Sequence, residues 1–126
     1  MSSRSEITTP SHFVVQEHCT PDGVHWDLML QHENTLWTWR MTCPPIAIGD
    51  IPLVLEKIID HPLRFLSYEG PVQHNTASVK IADCGTYESI ERTELFLRIV
   101  FFGRHIKGCF LLDKKDSCTW MLKHCR

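Results

Sequence analysis

The sequence predicts a mainly β fold, a single small closed or partly closed β-barrel of about eight strands with at most one or two short helices. Short apolar runs with period-two alternation recur along the chain, and clusters of Gly, Pro, Asn or Asp separate them at short intervals. The size agrees: 126 residues, 43% of them hydrophobic and including four Trp and six Phe, fill one core and leave no room for a second.

Residues 1–11 are polar and are expected to form a flexible arm, so the folded domain spans 12–126. The strand candidates are Phe13–His18, His25–Gln31, Leu36–Met41, Phe65–Tyr68, Ser78–Ala82, Leu95–Phe102, Cys109–Leu112 and Thr119–Lys123. Turns are expected at Thr20–Gly23, His32–Thr35, Asp83–Gly85, Gly103–Gly108 and Lys114–Ser117, where turn-forming residues let the backbone reverse. Leu53–Ile59 is the one helical candidate, although its apolar residues fit neither period cleanly.

The first eleven residues lack a signal peptide's apolar run, and no later segment offers about 18 uncharged apolar residues. An intracellular, cytoplasmic protein is expected, nucleoid-associated if prokaryotic, with no membrane partner. Six scattered cysteines include no C-x-x-C pair and are expected to be reduced thiols. The net charge of −2 argues against a protein that coats nucleic acid, yet residues 1–90 carry −6 and residues 91–126 carry +4. Either an ordinary solvated surface or a phosphate-facing patch explains that asymmetry.

His25-Trp26-Asp27-Leu28-Met29-Leu30 alternates strictly. In a strand, Trp26, Leu28 and Leu30 face the core while His25, Asp27 and Met29 share the opposite face. His18 ends the preceding strand, and a short T-P-D-G turn brings it back toward that pair. The three polar residues read either as a solvated edge or as a mixed N/O ligand set for Mn²⁺, Zn²⁺ or Fe²⁺. Asp60-His61-Pro62 is a second polar knot, in which Asp60 either orients His61 at a turn or serves a site. Arg40 shares a strand face with Leu36 and Thr38; it is a surface charge unless that face adjoins His25.

These residues resemble the 3′-phosphoesterase domain of bacterial DNA ligase D and its free-standing relatives. The family block F-V-V-Q-E/K-H, a spacer, then H-Y-D-F-R-L is similar to Phe13–His18 followed by His25–Leu30. A second block, E-D-H-P-x-x-Y then F-E-G, is similar to Ile59–Phe65 and Tyr68-Glu69-Gly70. Weaker echoes extend the resemblance over residues 12–123. It implies a β-barrel enzyme that trims 3′ ends of DNA or RNA/DNA primer-templates at breaks, removing a 3′-ribonucleoside and a 3′-phosphate, with Mn²⁺ favoured and Zn²⁺ or Fe²⁺ possible.

By residue match, His18, His25 and Asp27 would be the metal ligands and His61 would contact the scissile phosphate as general acid. The sequence departs from the family where its Arg is Met29, where its Tyr is Phe65, and in a spacer one residue longer. The form H-W-D-L-M-L with T-W-R resembles a shorter subfamily, in which Arg40 would supply the positive charge missing at the substrate-side position of Met29. Any ligase or polymerase partner would act in trans. The alternative is a module of the same fold that binds a nucleic-acid end or repair partner and hydrolyses nothing; a non-haem iron oxygenase built on His25-x-Asp27 leaves His18 and His61 unexplained.

Overall fold

The computed structural model describes residues 11–125. Nine strands alternate with tight turns: β1 Ser11–Thr20, β2 Gly23–His32, β3 Thr35–Met41, β4 Leu53–Pro62, β5 Gly70–Val72, β6 Ala77–Arg92, β7 Phe96–Phe102, β8 Lys107–Lys114 and β9 Thr119–His124. Two short 3-10 turns, Pro45–Ala47 and Leu63–Leu66, are the helical content among the described residues. The antiparallel order β1-β2-β3-β4-β9-β8-β7-β6 closes through a β1–β6 pairing into an eight-stranded barrel, and β5 adds to the outer edge of β6. Closure removes the free edges that would otherwise template aggregation.

Alternation sorts the two faces as expected for β2. Leu28 and Leu30 point inward with Phe13, Val15, Trp39 and Leu112, and Trp26 packs half-buried against this core. Each fully buried aliphatic side chain contributes about 1.5–3 kcal/mol. The outer face of β1–β3 is also covered. Val14, Met29 and Leu36 form a second apolar cluster under Leu63, Phe65 and Leu66 of the 3-10 turn.

Three sequence expectations are corrected. Leu53–Ile59 is strand β4 rather than helix: Leu53 and Leu55 pair with β9, and Lys57 pairs with Trp39 on β3. Its period was hidden because the β3–β4 register slips between the pairs Thr38↔Ile58 and Leu36↔His61, setting two apolar residues, Ile58 and Ile59, side by side. Phe65–Tyr68 is not a strand; the chain coils at Leu63–Leu66 so that its apolar side chains can cap the outer cluster. Asp83–Gly85 is not a turn but the middle of the 16-residue β6, where Asp83 takes the backbone N–H groups of the real turn at Gly103–Ile106.

The arm expected over residues 1–11 lies outside the described residues except for Ser11, which opens β1. None of the six cysteines is in a disulfide. Among the described residues no helix is long and apolar enough to cross a membrane.

Candidate metal centre

The β1–β2 hairpin aligns Gln16 with Asp27 and His18 with His25 on the outer face. His18 Nδ1 and His25 Nε2 stand 2.9 Å apart, and Asp27 Oδ2 lies 3.8 Å from the first and 3.5 Å from the second. The circle through these three atoms has a radius of about 2.0 Å, the length of a Zn–N or Zn–O bond. The donor set therefore fits a divalent ion bound by two imidazoles and one carboxylate.

Burial strengthens the case. Asp27 is only 3% exposed, and its Oδ1 accepts no hydrogen bond; the nearest cation is Arg40, whose Nε lies 3.6 Å away. A buried carboxylate with an unanswered oxygen is costly unless a positive charge meets it. Burial also holds His25 below its ordinary pKa, outweighing the opposing pull of Asp27, so the ring favours the neutral form that ligates metals.

His61 reaches this face through the β4 irregularity. Two residues, Ile59 and Asp60, lie opposite the single Trp37, so the bulge turns His61 outward beside Leu36 instead of into the barrel. Its Nδ1–H donates to the Ile59 carbonyl at 2.9 Å, which leaves Nε2 free for chemistry. Gln16, His18, Asp27, His61 and Arg64 line one cavity of about 270 Å³.

The 3-10 turn forms the cavity's far wall. The Gln16 amide, buried in β1, donates to the carbonyls of Phe65 and Tyr68, both at 3.0 Å, and so clamps the turn to the barrel. Arg64 rides over the Phe65 ring at 4.4 Å and the Tyr68 ring at 5.4 Å. Arg64 and Gln16 were not assigned roles from the sequence. The only signal for Arg64 was its place three residues after His61, and for Gln16 its place in the F-V-V-Q-E-H block.

Residues 16–114 match the family model of the DNA ligase D 3′-phosphoesterase domain. The chain belongs to this family. No match was found among curated proteins. Of the residues that the resemblance to 3′-phosphoesterase domains marks, His18, His25, Asp27, Arg40 and His61 gather on one face of the barrel. Met29 does not join them at the cavity: it is 1% exposed and packs between Val14 and Leu36 in the outer apolar cluster. Phe65 adjoins both settings, lining the cavity and setting its ring edge-on to His61 at 5.7 Å.

Proposed function

We propose that this chain is a metal-dependent 3′-phosphoesterase acting on the 3′ ends of DNA or of RNA/DNA primer-templates, where it removes a 3′-ribonucleoside or a 3′-phosphate during break repair. The observation that carries this reading is the single cavity lined by His18, Asp27, His61 and Arg64 together. A ligand cluster alone would suit storage or structure; a cluster facing an imidazole and a guanidinium suits a phosphate.

A divalent ion held by His18, His25 and Asp27, Mn²⁺ in preference to Zn²⁺ or Fe²⁺, supplies Lewis acidity toward a phosphate oxygen and toward water. The chain's own groups do the rest. Arg64, fixed by two aromatic rings, presents its guanidinium to the non-bridging oxygens. Arg40 faces Asp27 from β3 and adds a second positive charge beside the ligand set. His61, its Nδ1–H committed to Ile59, acts in its imidazolium form and donates the Nε2 proton to the leaving oxygen. Gln16 keeps the two walls in register. A ligase or polymerase acting in trans then takes over the trimmed 3′-hydroxyl end, inside the cell.

The test is purified protein with Mn²⁺ and a primer-template ending in a 3′-phosphate. Release of inorganic phosphate is expected, lost on addition of EDTA and reduced at least a hundredfold in His61→Ala. No release from protein carrying one equivalent of Mn²⁺ would favour the second reading, a module that binds a nucleic-acid end without hydrolysis. One observation favours that alternative: the family's Arg position is held by Met29, inside an apolar cluster that offers a phosphate nothing.

A further inference from the structure

We propose that the barrel's open mouth between β3, β4, β6 and β9 is a separate nucleotide site, which takes an unpaired base among its tryptophan rings and the attached phosphate on Lys57 and Arg92. Trp37 and Trp39 on β3 and Trp120 on β9 face inward: Trp37 pairs with Leu30, and Trp120 pairs with Leu55. Trp39 and Trp120 meet edge-to-face with ring centroids 5.5 Å apart, and together with Trp37 they border a cavity of about 260 Å³. The cavity lies at the open end of the barrel, and its volume is room for a guest about the size of one base.

The lining has the chemistry of a base-stacking platform. His32 already stacks on Trp37, ring centroids 3.9 Å apart and planes 21° apart, so this indole accepts a flat heterocycle. Arg92 stands 5.9 Å from the Trp37 ring and Lys57 5.4 Å from the Trp39 ring. Each cation is anchored at the rim, Arg92 by the His32 ring at 3.2 Å and Lys57 by the Ile58 carbonyl at 2.7 Å and Asp60 at 3.4 Å. The indole N–H groups of Trp39 and Trp120 are buried without an acceptor, leaving two donors for the carbonyls or ring nitrogens at a base's edge. Aromatic faces combined with cations are how single-stranded nucleic acid is held without sequence preference.

The mouth and the metal-side cavity lie on opposite faces of β4, lined by the consecutive residues Asp60 and His61. Binding at the mouth needs no metal, so it is measured in EDTA, and its outcome is separable from that of the phosphoesterase assay. The probes are dTMP, followed by quenching of tryptophan fluorescence, and a fluorescein-labelled single strand of about twelve thymidines, followed by anisotropy. Saturable binding of both is expected, with Trp37→Ala weakening it about tenfold, Trp37→Phe restoring most of the loss, and Arg92→Ala weakening the strand about fivefold with a shallower salt dependence. Circular dichroism checks that each variant folds, and Arg92→Ala carries the test if Trp37→Ala does not. Binding of dTMP alone would assign the site to free nucleotides; binding of the strand with or without dTMP would assign it to nucleic acid. No saturable binding of either probe at millimolar concentration overturns the proposal, as does binding that survives Trp37→Ala and Arg92→Ala but is lost in Arg64→Ala.

Discussion

Asp27 and Asp83 are both 3% exposed, yet the molecule treats them in opposite ways. Asp83, inside the barrel, accepts four backbone N–H groups: Cys84 at 2.9 Å and Arg104 at 2.8 Å on one oxygen, His105 at 3.1 Å and Ile106 at 2.8 Å on the other. The turn it clasps passes so close that a Cβ on Gly103 would lie 2.5 Å from the Phe13 ring and 3.0 Å from the Asp83 carboxylate. Asp27 has no such bonds; two imidazoles and a guanidinium surround it at 3.5–3.8 Å. A buried carboxylate saturated by amides holds a fold together, whereas one left unsaturated among basic groups is poised for a cation. Burial alone distinguishes neither; the partners decide.

The largest expected effect breaks the structural side of this pair. Asp83→Ala strands three turn amides and that of Cys84 and should cost about 3–5 kcal/mol in urea unfolding while leaving Mn²⁺ affinity within threefold. Loss of the Mn²⁺ site in this variant would mean that the two carboxylates are not separable. Next comes Asp27→Asn, expected to weaken Mn²⁺ binding by calorimetry at least about a hundredfold, or near 2.7 kcal/mol. Its metal-free stability should fall, because Arg40 loses the carboxylate 3.6 Å away, but by less than in Asp83→Ala; a loss as large as that of Asp83→Ala would recast Asp27 as a second structural pin.

Met29 sharpens the boundary between the chemical and apolar parts of the outer face. Placing a charge there buries it among Val14, Leu36 and Phe65, so Met29→Arg should lower stability by about 2 kcal/mol without speeding 3′-phosphate release. A faster variant would show that the side chain can escape toward the ion. The smallest effect lies in the two turns. Asp83 clasps Gly103–Ile106 with three bonds, but Gln73, His74 and Asn75 at the β5–β6 turn all adopt positive φ, between 54° and 69°, without a glycine among them. His74→Gly should therefore raise stability by up to about 1 kcal/mol, read as a higher Tm.

Much of this was legible in the sequence because alternation is a local property. The strict pattern His25–Leu30 determined that His25 and Asp27 share a face and that Leu28 and Leu30 enter the core, and the short T-P-D-G turn determined that His18 returns beside them. What lay beyond reach depends on partners far along the chain. The β1–β6 pairing closes the barrel, the two-against-one slip at Ile59–Asp60 turns His61 onto the metal face, and the outer cluster under Leu63–Leu66 takes Met29 away from the cavity and sets Arg64 at its wall. A period of two says which residues share a face. Only the register against a neighbouring strand says which face that is, and only the covering segment says whether it is wet, apolar or ready to bind an ion.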